Sequence, residues 1–556
     1  LEKIWLKSYP PGIPAEIDVN EYQSLAQILE ESCTKYRNHV AFVQMGKEMT
    51  YRQLDELSRN FAAWLQKEAG LKRGDRIAIM LPNVLQYPVA MFGALRAGLA
   101  VVNVNPLYTA RELEHQLVDS GAQAIVILEN FAHVLQEVIG RTQVRTVLVT
   151  AVGDMLGAPK SWIVNLVVRH RGKGVSPWRI PGALDFRSAV TAGQRMVLEP
   201  VALGHEDIAF LQYTGGTTGV AKGAVLTHGN IVANVLQAVA WVTPFFPREP
   251  AVLITALPLY HIFALTGNCL LFIKLGWKNV LITNPRDFKG FVAELKKYRF
   301  TFISGVNTLF NALLNTPGFE EVDFSHLKVT LGGGMAVQRS VAERWKQVTG
   351  CVLTQAWGLT ETSPAACINP PTDEFNGSIG LPISSTEIAI MDDSGRELAI
   401  GEVGEICVRG PQVMREYWNR PDETEKVLLP GGWLRTGDVG HMDERGFVYI
   451  EDRKKDMILV SGFNVYPNEV EAVAATHPGV LEVAAVAAPD ERSGEAVALF
   501  VVRKDPNLTA EDLIRHCKAS LTAYKVPKHV YFRSELPKTN VGKILRRALR
   551  DELVKS

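Results

Sequence analysis

Between residues 51 and 70, apolar side chains recur at Leu54, Leu57, Phe61 and Leu65 with charged residues between them, a helical stripe that Gly70 closes. The pattern then predicts a strand over 76–81, a helix over 87–97, a strand over 101–104, a helix over 110–120 and a strand over 124–128. Strands alternating with helices at these lengths imply a parallel sheet covered on both faces, so the opening region reads as α/β. The rhythm fails between about residues 152 and 195, and the apolar run Ile208-Ala209-Phe210-Leu211 marks the next strand. From about residue 387 the texture shortens to alternating pieces at 388–390, 404–409 and 446–450, which predict a small β subdomain. The charged run Glu451-Asp452-Arg453-Lys454-Lys455-Asp456 follows. Few contacts are expected to cross it, which makes it a candidate hinge. Beyond it, Asn468-Glu469-Val470-Glu471 has capping-box character before a helix at 470–475. Strands at 482–487 and 496–503 and a helix from about Thr509 complete a compact α+β unit.

At 556 residues the chain exceeds one ordinary core, so two or more domains are expected. Hydrophobic residues at 47% and charged residues at 21% describe a globular protein. Basic and acidic residues balance at 59 each, so no global field attracts nucleic acid or anionic lipid, any such contact must be local, and no nucleic-acid partner is expected. The six cysteines are scattered without a CxxC pair, which argues against zinc and for a reducing compartment. No charged-then-apolar leader pattern opens the chain, and a cytoplasmic location is expected. The uncharged run 251–273 is long enough to raise the question of a membrane span. Pro258, Tyr260, His261, Gly267 and Asn268 interrupt it, and it reads as buried strand, loop and helix.

One stretch carries the strongest chemical signal. Tyr213-Thr214-Gly215-Gly216-Thr217-Thr218-Gly219-Val220-Ala221-Lys222-Gly223 holds four glycines, three threonines and one lysine, and suits a loop whose amides and hydroxyls wrap a polyanion such as a nucleoside triphosphate. Glycine allows close backbone approach, and Lys222 offers a point charge to phosphate oxygens. The spacing is not GxxxxGK[ST], because glycine follows Lys222 where that motif has a hydroxyl for a metal ion. Further on, Leu331-Gly332-Gly333-Gly334 offers bare backbone to a flat ring, and residues 354–362 place Trp357, Gly358, Thr360 and Glu361 together. In residues 152–195, Lys160, Arg169, His170, Arg171, Lys173 and Arg179 interleave with Trp162, Ile163, Leu166, Val167, Val168 and Trp178. That excursion reads either as a solvated connection whose tryptophans pack on the body or as a segment that settles on an anionic membrane surface.

Taken in order, the Thr/Gly-rich loop, Leu257-Pro258-Leu259-Tyr260-His261, Gly332-Gly333-Gly334, Gly358-Leu359-Thr360-Glu361, Thr436-Gly437-Asp438, Asp452-Arg453-Lys454-Lys455-Asp456 and Gly542-Lys543 resemble the adenylate-forming superfamily of acyl-CoA synthetases, adenylation domains and luciferases. The resemblance is closer to bacterial long-chain fatty-acid CoA ligases and covers essentially the whole chain, with residues 432–438 and 452–455 similar to the fatty-acyl-CoA synthetase signature. It implies a large N-terminal domain (1–454) of two α/β sheet subdomains plus a small β subdomain, and a small mobile α+β C-terminal domain (455–556), with the hinge at Lys455 and the active site between them.

The implied activity joins a long-chain fatty acid to CoA at the expense of ATP, with Mg²⁺ as cofactor, and feeds fatty-acid degradation or uptake. A carboxylate resists a thiol, because oxide is a poor leaving group. Transfer to the α-phosphate makes an acyl-adenylate, from which CoA displaces AMP. The resemblance places Tyr213, Thr214, Gly215, Gly216, Thr217, Thr218, Gly219 and Lys222 on the triphosphate and makes Thr214 and Glu361 the magnesium ligands. It assigns Asp438 to both ribose hydroxyls and Arg453 to ribose or phosphate, with Gly333, Gly334 and Trp357 framing adenine and Gly358 and Thr360 beside them. Trp357 stands where the family pattern has tyrosine, so an aromatic face is kept and a phenolic contact is lost.

Lys543 is the implied catalytic cation, bridging acyl carboxylate and α-phosphate, and His261 the orienting or gating group, with a buried structural histidine as its alternative reading. Rotation about Lys455 would replace Lys543 by the loop Ser461-Gly462-Phe463-Asn464, which is assigned to CoA. Segments 231–242, 262–265 and 305–310 are candidates for the acyl tunnel, where burial at about 0.8 kcal/mol per methylene favours longer acids. Two other readings stay open: an enzyme that hands its acyl-adenylate to a carrier-protein thiol, and a catalytically silent binding module, against which Lys222, Glu361, Asp438, Arg453 and Lys543 all speak. Peripheral contact with the inner face of the inner membrane, and a homodimer, are carried as further expectations.

Overall fold

The computed structural model describes residues 2–170, 174–214, 221–246, 250–371, 374–490, 492–539 and 541–555. Two mainly parallel sheets build the first part of the chain. In the eight-stranded one the order is Glu416–Tyr417, Lys222–Thr227, Ile208–Thr214, Ala100–Asn103, Arg76–Met80, Ala124–Leu128, Thr146–Thr150 and Leu184–Asp185. In the nine-stranded one it is Leu381–Pro382, Ala365–Ile368, Leu353–Gly358, Val329–Gly332, Phe302–Gly305, Val252–Thr255, Lys278–Leu281, Val40–Gln44 and Lys47–Thr50. The inner strands are parallel and read as continuous apolar runs because both faces are covered; Ala124–Leu128 is buried at every residue.

The helix Gln86–Arg96 is buried along its whole length between the two sheets. Neutral polar groups fasten it and its approach. Tyr87 donates to Leu259 O (2.9 Å) and to Asn103 Oδ1 (2.8 Å), while Asn83 Nδ2 donates to the carbonyls of Thr255 and Leu257. Gln212 Nε2 adds a bond to Tyr260 O at 2.7 Å. The stretch 257–261 is therefore pinned from both sheets, which satisfies its backbone carbonyls without charge.

The third sheet is antiparallel: Glu387–Met391, Gly404–Arg409, Trp433–Met442, Leu428–Leu429 and Val448–Arg453. The fourth comprises Phe463–Val465, Ile458–Val460, Gly494–Arg503, Val480–Asp490 and His529–Arg533, with helices Pro467–Ala474 and Ala510–Ser520 packed on it. The expected class holds: two α/β sheets and a small β sheet in the large part, and a separate α+β unit. The run 251–273 is the expected buried strand, loop and helices, and among the described residues no helix is long and apolar enough to cross a membrane.

Four expectations need correction. The Thr/Gly-rich stretch is not loop throughout: Tyr213 pairs with Gly223 and Thr214 with Lys222 in a hairpin, and the Thr227 capping box starts helix His228–Val242 directly behind it. Glycine content masked the strand ends, because β propensity is low there while cross-strand pairing decides. Residues Gly215, Gly216, Thr217, Thr218 and Gly219 lie outside the described residues. Asn468 and Glu471 form no capping box. The helix opens with Pro467, Asn468 N donates to Asp452 (2.8 Å), and both side chains serve Arg546.

The charged run is also not left to solvent. Asp452 is buried against Arg546 at 3.2 Å, and Asp456 pairs with Arg550 at 2.9 Å. In the basic aromatic excursion, Trp178 packs on the body, but Trp162 does not. It is 71% exposed on the helix Lys160–His170, with Ile163 at 58% and Leu166 at 61% beside it. Arg171 and Lys173 lie outside the described residues.

Candidate active site

In the nine-stranded sheet the neighbouring parallel strands Val252–Thr255, Phe302–Gly305 and Val329–Gly332 all end on one side, and the chain beyond them supplies residues 257–261, 306–308 and 333–334. Crevices outside the carboxyl ends of parallel strands are where α/β folds bind ligands. Here that crevice is a cleft of about 1280 Å³ bounded by the first three sheets and by the C-terminal unit. Tyr213, Thr214, Lys222, His261, Gly333, Gly334, Trp357, Gly358, Thr360, Glu361, Asp438, Arg453, Lys455 and Lys543 all line it. The segments expected to form an acyl tunnel contribute Asn234, Ala238, Trp241, Val242, Phe263 and Thr308 to the same cleft.

Lys543 reaches the cleft because the C-terminal unit is docked over it. Thr308 Oγ1 donates to Gly542 O at 2.8 Å, and Asn311 Nδ2 donates to Leu481 O at 2.9 Å. The side chain lies along Gly334, whose φ of 76° is left-handed and where an added Cβ would stand 3.2 Å from Lys543 Cε. Desolvation lowers the ammonium to about 8, with Arg453 acting in the same direction and Asp438 and Glu361 opposing it. His261 faces the same charge. Burial, helped by Lys543, lowers its imidazole to about 3, so the ring is neutral near pH 7, and its Nδ1 accepts from Phe263 N at 3.3 Å. The ring thus both starts the short helix Ile262–Ala264 and lines the cleft.

Asp438 and Arg453 meet because they are cross-strand partners of Trp433–Met442 and Val448–Arg453, with Arg453 Nε 3.0 Å from Asp438 Oδ1. The other oxygen, Oδ2, accepts from the Trp357 indole N–H at 2.8 Å. The tryptophan ring thus makes a polar contact of its own, through its indole N–H. Each Asp438 oxygen thus already holds one donor, and only its remaining lone pairs are left for a ligand.

A family model described as AMP-binding enzyme matches residues 29–418, and one described as AMP-binding enzyme C-terminal domain matches residues 469–543. The chain belongs to the AMP-binding enzyme family. It is 58% identical over 553 residues to a long-chain-fatty-acid–CoA ligase of Escherichia coli O157:H7, covering 99% of this chain and 98% of that one. Among solved structures, the anthranilate CoA ligase AuaEII in complex with anthranoyl-AMP aligns at a TM-score of 0.85 with 26% identity, over 97% of this chain and 99% of that one. ATP-bound MatB from Rhodopseudomonas palustris aligns at 0.80 with 27% identity, over 95% and 98%; the apo form of MatB, at the same coverage, gives 0.71.

Not every expected residue of this AMP-binding enzyme comes to the cleft. Ser461 and Gly462, at φ 51° and 85°, form the turn between Ile458–Val460 and Phe463–Val465 and are not among the cleft-lining residues. Phe463 is exposed there and stacks on Tyr524 at 4.8 Å. Two groups in the cleft region went unread in the sequence. Tyr417 donates to Glu361 Oε1 at 2.6 Å and underlies Lys222 at 4.6 Å, and Glu423 pairs with Lys222 at 2.7 Å. Burial, and then the Glu361 carboxylate, raise the Tyr417 phenol, so it keeps its proton and acts as donor. No spacing connects 222, 361 and 417; only the sheet edge does.

Two outcomes are expected. Trp357→Phe keeps the ring face but removes the donor to Asp438, and should weaken ATP binding about tenfold while leaving the KM for fatty acid unchanged, measured by initial rates in each substrate. Because Lys543 is cationic below about pH 8 and loses its charge above it, kcat/KM for ATP in adenylate formation should fall as pH rises through that value. Lys543→Arg should move that limb upward.

Proposed function

We propose that this protein activates long-chain fatty acids to acyl-CoA through an acyl-adenylate, releasing pyrophosphate and then AMP, as the committing step of fatty-acid uptake or degradation. The observation that carries the reading is the seating of Lys543 against Gly334 in the cleft that also holds Glu361, Asp438 and His261. In the first half-reaction the fatty-acid carboxylate oxygen attacks the α-phosphorus, the bond to the β-phosphate oxygen breaks, and Lys543 offsets charge on both reacting groups. His261, neutral, orients the carboxylate without competing for its charge. In the second, the CoA thiolate attacks the acyl carbon and AMP leaves. The long apolar wall from Asn234 to Val242, with Phe263 and Leu331, takes the acyl chain.

Among the described residues no group of three or more His, Cys, Asp or Glu side chains could hold a metal ion. A resident, fully protein-bound cation does not fit, whereas Mg²⁺ shared with phosphate oxygens does, since such sites use one or two carboxylates. Glu361 and Thr214 are the oxygen donors in the cleft that would hold it, and it would supply neutralisation of triphosphate charge.

The domain boundary at 454/455 and the hinge at Lys455 belong to the same proposal. Lys543 lines the cleft here and the Ser461–Phe463 turn does not, so rotation of the C-terminal unit that exchanged them would time the two half-reactions. The better alignment with ATP-bound than with apo MatB is what the adenylating orientation would give. The handover of the adenylate to a carrier-protein thiol is not favoured, since the near-full-length similarity runs to CoA ligases.

The exposed apolar face of Lys160–His170 supports a second element of the reading, a peripheral contact with lipid. Trp162, Ile163 and Leu166 form an apolar surface on one short helix with Lys160 at its start and Arg169 and His170 at its end, a composition that suits the headgroup boundary.

Incubation with oleate, ATP, Mg²⁺ and CoA should yield oleoyl-CoA, AMP and pyrophosphate; pyrophosphate without thioester would point to a carrier-linked enzyme, and no product to a silent binder. Lys543→Ala should abolish adenylate formation while preformed oleoyl-adenylate is still converted to thioester, and equal loss of both steps would contradict its role. Replacing Trp162, Ile163 and Leu166 together by serine should reduce co-sedimentation with vesicles containing anionic lipid, without changing oleoyl-CoA synthesis from detergent-dispersed oleate.

A further inference from the structure

The two-residue strand Glu416–Tyr417 closes the edge of the eight-stranded sheet, with Tyr417 opposite Ala224 and Glu416 opposite Val225. Its neighbours are fastened on both sides. Met414 N donates to Glu361 O (2.7 Å), Trp418 N to Gly223 O (2.7 Å) and Trp418 Nε1 to Asp119 O (3.0 Å). The phenol is therefore held at one place, between the strand that carries Lys222 and the backbone that carries Glu361. It is buried, its hydroxyl bonds Glu361 Oε1 at 2.6 Å, and its ring lies under Lys222 Nζ at 4.6 Å.

Lys222 and Glu361 both line the cleft, and each already has a partner of its own. Lys222 takes its carboxylate from Glu423, at 2.7 Å, on helix Pro421–Val427, and Glu361 takes its hydrogen bond from Tyr417. The aromatic face attracts the ammonium without neutralising it, and a phenol bound to one carboxylate oxygen fixes the rotamer while leaving the second oxygen for another partner.

We propose that Tyr417 is a positioning residue for the nucleotide step, one that holds Glu361 for the cation and Lys222 for the phosphates at a fixed separation before ATP arrives. The proposal rests on the reading of Glu361 and Lys222 as the cation and triphosphate groups. A supporting hydrogen bond to a metal-ligating side chain is worth on the order of tenfold or more in metal affinity, which sets the size of the expected effect.

The test separates cation from nucleotide. Tyr417→Phe keeps the ring beneath Lys222 and removes the hydroxyl. By calorimetric titration of the full-length protein, its affinity for ATP without Mg²⁺ should match wild type, while the gain in affinity on adding Mg²⁺ shrinks on the order of tenfold. The free Mg²⁺ giving half-maximal oleoyl-adenylate formation should rise by a similar factor, and conversion of preformed oleoyl-adenylate to thioester should stay near the wild-type rate. Tyr417→Leu, which also removes the ring, should weaken ATP binding in the absence of Mg²⁺. An unchanged Mg²⁺ midpoint and Mg²⁺-dependent affinity in Tyr417→Phe, or equal damage to both half-reactions, would overturn the proposal. Wild-type protein that makes no oleoyl-CoA would instead sink the fatty-acid reading, so the two failures are told apart.

Discussion

A single ammonium brought into a cleft by a separate folding unit is the constraint on which the rest of the structure depends. Lys543 belongs to the C-terminal unit, yet it lies on Gly334 at the end of a strand of the large sheet. Burial there takes its charge partly out of water, which lowers the ammonium pKa. Thr308 and Gly542, and Asn311 and Leu481, join through uncharged hydrogen bonds, while the buried Asp452–Arg546 pair ties the charged run to the same unit.

The body of the cleft is fixed by different means. Its walls are the ends of parallel strands, and the segment bearing His261 is tied by Asn83, Tyr87 and Gln212 through uncharged hydrogen bonds. That fastening uses no charged side chain of the cleft. Lys222 pairs with Glu423 above the Tyr417 ring, Glu361 accepts from Tyr417, and Asp438 accepts from Trp357 and pairs with Arg453. Charges whose neighbours fix their direction in advance cost no reorganisation when a ligand binds.

Much of this was legible in the linear chain. The α/β alternation from residue 51 to 128 appears in the structure nearly where apolar periodicity put it, because parallel strands and the helices covering them are set by local pattern. The order of motifs from the Thr/Gly-rich stretch to Gly542-Lys543 was enough to bring Lys222, Glu361, Asp438, Arg453 and Lys543 to one cleft. The hairpin ends at Tyr213–Thr214 and Lys222–Gly223 were hidden by glycine, and Asn468 and Glu471, which looked like caps, are held by Asp452 and Arg546. In both cases a distant partner overrode a local preference.

What the sequence determined by itself is the class of fold, the chemistry of each reacting group and the order in which those groups occur, since these follow from side-chain type and short-range period. Tertiary structure alone decided which neighbour each charge has. That the Trp357 indole N–H donates to Asp438, that Tyr417 stands between Lys222 and Glu361, and that Trp162 faces solvent while Trp178 is packed, are all settled by contacts between elements far apart in the chain. Hydrogen-bond and ion-pair partners are matters of ångströms, and only the packing of sheets and helices fixes distances on that scale.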